Sequence, residues 1–229
     1  MATTTENSLM SLDEAIYARR SVRGFLDKPI PEDILNKIFS LAQQSPSNCN
    51  VQPWKTFVAS GETRDRIKDT LVSNVTSGVA SNSDYSYPGK FEGEYRKRQV
   101  DCAFEMYGAM GIARDDKVGR GKAGLRNFEL FDAPYVCFIG MDKSFGPTVA
   151  IDVGMYAQTL MLAMASFDIG SCAQGSMRNY PDLVRTEFPG NDDIGILMGI
   201  SFGYEDTSVA ANDTRIGRDP IDTCVTFKD

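Results

Sequence analysis

The run Asp132-Ala133-Pro134-Tyr135-Val136-Cys137-Phe138-Ile139-Gly140-Met141 limits the possible folds more than any other stretch. Beyond its proline it reads as a continuous apolar strand, and such strands are buried on both faces. A second apolar strand is expected over residues 194–202, closed by Gly203-Tyr204. Between them, residues 149–167 read as a long apolar helix with Met155, Leu162 and Met164 among its buried candidates. Asp152 and Gln158 interrupt that helix, which favours a buried core element over a membrane span. At 229 residues the chain fits one large domain or two small ones, with a substantial core.

The chemistry is bounded by what is missing. The chain has no histidine, which removes Ser-His-Asp and Cys-His catalysis, histidine general bases and histidine-ligated metals. No metal site is expected. The five cysteines, Cys49, Cys102, Cys137, Cys172 and Cys224, are scattered, odd in number and form no C-x-x-C pair. They read as reduced thiols of a cytoplasmic protein. Residues 1–10 are polar and lack the apolar centre of a signal peptide. A formal net charge of -7 argues against a nucleic-acid partner, and no membrane partner is expected. A few local arginines can still hold one anion.

Such arginines occur in Arg19-Arg20-Ser21-Val22-Arg23-Gly24-Phe25. Their planar, permanently charged donors suit a phosphate, although basic residues also favour helix C-termini. Ser11-Leu12-Asp13-Glu14 has the form of a capping box, so a helix is expected over residues 12–19 with Leu12, Ala15 and Ile16 on one face. Pro31 suits the first position of a second helix, whose apolar residues Ile34, Leu35, Ile38, Leu41 and Ala42 recur at helical spacing. That helix should stop near Ser45, ahead of Pro46.

Residues 45–54 then form a proline-fixed loop dense in short amides and hydroxyls, able to read the edge of a heteroaromatic ring or simply to turn the chain. A strand follows over residues 55–59, then a helix carrying Ile67, Leu71 and Val75. Residues 77–126 interrupt the alternation of helix and strand and read as an excursion covering a site. Gly170 to Ser176 is a small-residue stretch that lets backbone approach a ligand. The tail holds Arg215 and Arg218, and a last strand is expected over residues 223–227.

Three separated stretches match one pattern: Arg-Arg-Ser-x-Arg at 19–23, Ser-Pro-Ser-Asn-x-Asn-x-Gln-Pro-Trp at 45–54, and Arg-x-x-Arg-x-Pro at 215–220. With Phe131-Asp132-Ala133-Pro134 and Gln174-Gly175, in this order over nearly the whole chain, they resemble the FMN-dependent nitroreductase family. Residues 95–98 through 111–114 resemble its nitrobenzoate and dinitroaniline reductase branch. The resemblance implies an α+β fold: a three-layer sandwich whose mainly antiparallel central sheet is flanked by helices. It implies a single domain over residues 1–229, with the excursion at about 77–126 and a C-terminal extension at about 205–229. It also implies an intertwined homodimer, with each FMN at the interface.

Carried over onto this sequence, the resemblance gives Arg19, Ser21 and Arg23 the phosphate and pyrimidine side of FMN, while Arg20 occupies a variable position. Pro46, Ser47, Asn48 and Asn50 reach the dimethylbenzene edge and ribityl face from the other chain, with Gln52 close enough to join them. Gln174 and Gly175 offer backbone amides near flavin N5. Arg218 and Arg215 complete the phosphate site, and Asn127 is a further candidate flavin contact.

The implied activity is FMN-dependent reduction of small nitroaromatic compounds, by a ping-pong two-electron cycle giving hydroxylamines. The tightly bound FMN does the difficult chemistry, NADPH or NADH is a transient donor, and no side chain is assigned a catalytic role. Quinone and enone reductases and reductive dehalogenases use the same scaffold, and a non-catalytic flavin-binding protein is the alternative from another class. Tyr85, Tyr87, Phe91, Tyr107 and Phe128 either wall an aromatic substrate slot or pack against the partner chain.

Overall fold

The computed structural model describes residues 10–86 and 89–229; Tyr87 and the N-terminal stretch 1–9 lie outside them. Four strands, β1 (Lys55–Ser60), β2 (Tyr135–Asp142), β3 (Gly170–Gln174) and β4 (Ile194–Gly203), form one sheet in the order β1-β2-β4-β3. Every neighbouring pair is antiparallel. Among the described residues there are seven α-helices: α1 (Leu12–Ala18), α2 (Glu32–Ala42), α3 (Gly61–Thr76), α4 (Gly93–Ala109), α5 (Lys117–Leu125), α6 (Val149–Ser166) and α7 (Pro181–Glu187).

The apolar run of β2 is buried on both faces, as its composition requires. Alternate side chains of a strand face opposite ways. Cys137, Ile139 and Met141 join Ile200 and Phe202 of β4 under α2 and α6, in a cluster with Ile38, Tyr156, Leu160 and Met164. Val136 and Phe138 join Ile194 and Ile196 of β4 under α3 and α7, with Ile67, Leu71, Leu183 and Val184. The result is helix, sheet, helix. Phe138 is fully buried, and its truncation to Ala would cost about 3–5 kcal/mol.

The local signals act as expected at the first helix. Ser11 Oγ accepts from the N–H of Glu14 at 3.3 Å, and the Glu14 carboxylate accepts from the N–H of Ser11 at 2.7 Å. Pro31 differs from expectation by one position. Its ψ of 140° is extended, so it caps α2 and its carbonyl takes the bond from Leu35, while Glu32 opens the helix.

Three expectations are corrected. Met155 and Leu162 are not core residues: α6 buries Val153, Tyr156, Ala157, Leu160 and Met164, and turns Ile151 and Met155 outward. A helix apolar all round cannot show by periodicity which face its own chain uses. Likewise, α1 buries only Ala15 and exposes Leu12, Ile16 and Tyr17. Residues 223–227 form no strand: Ile221–Thr223 make a single 3-10 turn. The tail lies near α4, tied by Arg98 to Asp219 at 2.5 Å, and meets no sheet edge there with which to pair.

Exposed large apolar side chains include Phe104 on α4, Ile151 and Met155 on α6 and Phe227 in the tail. The start of the excursion is nevertheless fixed to the body. Asp84 accepts from Arg185 Nη2 at 2.6 Å and from the N–H of Ile196 at 2.9 Å. Tyr85 donates to the carbonyl of Met141 at 3.3 Å, and its ring takes the space that a Cβ at Gly195 would need.

Candidate functional site

The arginine motif runs beside the edge strand β3. Ser21 bridges Ser171 in parallel, and the N–H of Val22 donates to the Ser171 carbonyl at 3.0 Å. Val22 therefore turns inward with Phe25, Phe131, Ala133 and Cys172. Ser21 and Arg23 are left on the opposite side. The same geometry deactivates Cys172: burial pushes its thiol pKa up, with Arg23 offsetting part of the effect.

The tail is brought to this motif by a close contact and a side-chain staple. A Cβ at Gly24 would fall 2.5 Å from Val209, so only glycine allows the approach. Asn212, 2% exposed, accepts from the N–H of Arg23 at 2.7 Å and donates to the carbonyls of Gly24 at 3.0 Å and Asp206 at 2.8 Å. Arg215 and Arg218 then face the motif across a cleft of about 770 Å³ that is also lined by Arg19, Ser21 and Arg23.

No carboxylate lines this cleft among the described residues. Nη1 of Arg215 donates to the carbonyls of Asn212 at 2.6 Å and Thr214 at 3.1 Å. Nη1 of Arg218 donates to those of Ile216 and Gly217, both at 3.0 Å. These anchors fix the two guanidiniums and leave further N–H donors for an anion. Arg20 also lines the cleft, but its guanidinium pairs with Glu205.

A second, more apolar cleft of about 550 Å³ adjoins at Arg23 and is walled by Tyr107, Leu125, Asn127 and Phe131. The side chain of Gln174 sets this wall from behind. It is buried, donates to the Asn127 carbonyl at 2.6 Å and accepts from Ser201 Oγ at 2.5 Å. Its amide group is thus committed to the core, so only the backbone of Gln174 and the exposed Gly175 remain for a ligand. Of the aromatics in question, Tyr107 lines this cleft. Tyr85 is packed, Phe128 meets Tyr180 edge-on at 6.4 Å, and Phe91 is exposed.

The loop holding Pro46, Ser47, Asn48, Asn50 and Gln52 borders neither cleft. It is rigid and outward-facing. The N–H of Asn48 donates to Asp152 of α6 at 3.1 Å, and that of Gln52 donates to Ser47 Oγ at 2.9 Å. Trp54 Nε1 donates to Gln43 at 3.0 Å, which in turn donates to Gln52 at 2.9 Å. Cys49, Asn50 and Gln52 hold φ values of 50°, 55° and 50°, a strained geometry that suits a functional loop.

Three supporting residues escaped sequence reasoning: Asn212, Ser201 and Glu205. Only Asn212 carries a usable signal, as a polar residue closing the apolar run Val209-Ala210-Ala211. No group of His, Cys, Asp or Glu among the described residues could hold a metal ion.

Fold and cleft together describe an α+β protein with an arginine-lined cleft free of carboxylates among the described residues. The chain belongs to the nitroreductase family, which it matches over residues 16–204. It is 37% identical to nitroreductase NfnB of Mycolicibacterium smegmatis, over 93% of this chain and 91% of that protein. It is 32% identical to the chloronitrobenzene nitroreductase of Comamonas testosteroni, over 94% and 96% of the two chains. It superposes on the crystal structure of the FMN-dependent nitroreductase NfnB from Mycobacterium smegmatis in complex with NADPH, with a TM-score of 0.90, covering 95% of this chain and 97% of that one.

Proposed function

We propose that this chain is an FMN-dependent NAD(P)H oxidoreductase that reduces nitroaromatic compounds, acting as a homodimer in the cytoplasm. The convergence of Arg19, Ser21 and Arg23 with Arg215 and Arg218 on one carboxylate-free cleft carries this assignment. The relatives named for nitroaromatic reduction, and the FMN- and NADPH-dependent neighbours, supply the chemistry.

FMN suits the residues present. A phosphate monoester matches the guanidinium and hydroxyl donors of the first cleft, and Arg23 joins that cleft to an apolar one. When bound, FMN supplies an acceptor for hydride from NADPH or NADH and a two-electron donor for the nitro group. Arg19, Ser21, Arg215 and Arg218 hold the phosphate. Arg23, which borders both clefts, would supply a fixed positive charge to offset the negative charge that the flavin gains on reduction. Asn127, whose carbonyl is held by Gln174 and whose side-chain amide donates to the Gly124 carbonyl at 3.4 Å, lines the apolar cleft, and the backbone of Gln174 and Gly175 would approach the ring. Nicotinamide and nitro compound would occupy one apolar face in turn, a ping-pong cycle; one two-electron turn would take the nitro group to nitroso, and a second, with its own nicotinamide, would give the hydroxylamine.

Pro46, Ser47, Asn48, Asn50 and Gln52 reach the cofactor of the partner chain. Their loop is rigid, exposed and bonded to α6 at Asp152, one residue from the outward-facing Ile151. The exposed Ile151 and Met155 on that face support a partner there. Five unpaired cysteines support a reducing compartment.

The test is anaerobic mixing. Purified protein should be yellow, should bleach with NADPH or NADH, and should regain colour with 4-nitrobenzoate or chloronitrobenzene as the hydroxylamine appears. A colourless protein that takes up no FMN, or a yellow one that neither nicotinamide bleaches, sinks the assignment. Sedimentation equilibrium at monomer mass sinks the dimer alone.

A further inference from the structure

We propose that Cys102 and Cys224 form a reversible disulfide that clamps the C-terminal tail over the arginine cleft. Cys102, on α4, lines that cleft and also a neighbouring groove of about 680 Å³ between α4 and the tail. Cys224 lines the same groove. Both thiols are free, Cys224 exposed and Cys102 half-buried. The other cysteines are placed elsewhere: Cys137 and Cys172 are buried in the sheet, and Cys49 sits on the outward loop.

The tail can make the adjustment that disulfide geometry demands, with Cα atoms about 4.4–6.8 Å apart. It has no strand pairing, and its ion pair to α4, Arg98 with Asp219, is solvent-exposed and weak. Arg215 and Arg218 lie between two fixed points once the bond forms. Asn212 is already stapled to the motif at one end, and Cys224 would be tied to α4 at the other.

A peroxide is the oxidant. One thiolate attacks a peroxide oxygen, the O–O bond breaks, and hydroxide leaves and is protonated to water, giving a sulfenic acid. The second thiol attacks that sulfur, the S–O bond breaks, water leaves and the S–S bond forms. Two thiols lose two protons and two electrons, and hydrogen peroxide becomes two waters. A dithiol reverses the bond.

The consequence for cofactor release rests on the FMN assignment, but the bond itself does not. The holoprotein is treated with hydrogen peroxide and digested with trypsin without reduction. The expected product joins peptide 99–114 to peptide 219–228, from protein that runs as a monomer in denaturing non-reducing electrophoresis. Amides 213–223 should exchange hydrogen more slowly. FMN release should slow by about tenfold or more and recover with dithiothreitol. Cys224→Ser and Cys102→Ser should each abolish the crosslink. Pairing with any other cysteine, a covalent dimer, separate oxidation of the two thiols, or a crosslink that leaves tail exchange unchanged overturns the proposal. If the protein takes up no FMN, the crosslink and exchange measurements still decide it, and the cofactor assignment fails separately.

Discussion

Asn212 accepts the backbone N–H of Arg23 at 2.7 Å, and its amide donates to the next carbonyl, that of Gly24, at 3.0 Å. One buried side chain thereby holds both ends of the chain at the cleft. Asn212→Leu leaves the Arg23 N–H and the Gly24 carbonyl without this partner, at about 1–3 kcal/mol for each unsatisfied group. Urea unfolding should show the loss. FMN titration should show weaker binding as well, because Arg215 and Arg218 are no longer positioned.

The arginines should separate by role. Arg23→Ala and Arg218→Ala each remove a charged donor, worth about 1.5–3 kcal/mol, and should weaken FMN binding by roughly 10- to 100-fold. Arg20→Ala instead breaks the pair with Glu205. It should lower the melting temperature while FMN affinity changes by no more than about threefold, since Glu205 already neutralises Arg20. Fluorescence titration of the apoprotein with FMN compares all three.

Gln174→Leu should cost stability without removing a ligand contact. It leaves the Ser201 hydroxyl and the Asn127 carbonyl unsatisfied in a buried setting, for about 2–5 kcal/mol in total.

Stability should fall in alkali. Complete burial pushes the Cys137 thiol from 9.0 up to about 12. Below pH 9 both folded and unfolded chains keep this proton, so the group has no effect. Between about 9 and 12 the unfolded chain has released it and the folded chain has not, so stability drops as pH rises. Burial shifts Cys172, Tyr156 and Tyr85 in the same direction. Chemical denaturation across this range should show the decline, and Cys137→Val should make it shallower.

Met155→Glu should disrupt the dimer. It places a charge on the outward stripe of α6, four residues from Ile151, where burial against a partner would desolvate it. Sedimentation should show monomer, and FMN should be lost with it, because the loop at Pro46 to Gln52 no longer reaches a second chain. A dimer that keeps FMN would place the interface elsewhere.

The sequence by itself determined the elements and the chemistry. The continuous apolar run of β2, the capping box at Ser11, and the helical spacing around Ile67 and Leu71 are local patterns, and the structure follows them. The absence of histidine excluded whole classes of catalysis, and the ordered arginine, asparagine and glutamine motifs pointed to the family that the chain matches, because side-chain identity limits chemistry before any fold exists. Only the tertiary structure decided which like residues do different work. Arg20 and Arg23 are three positions apart and both line the arginine cleft, yet Arg20 is paired with Glu205 while Arg23 joins that cleft to the apolar one. Gln174 turned its amide into the core, Met155 faced outward from an evenly apolar helix, and Asn212 became the staple. Each outcome depends on a neighbour more than twenty residues away or on a face that periodicity cannot choose. Distance along the chain hides such partners, and packing alone reveals them.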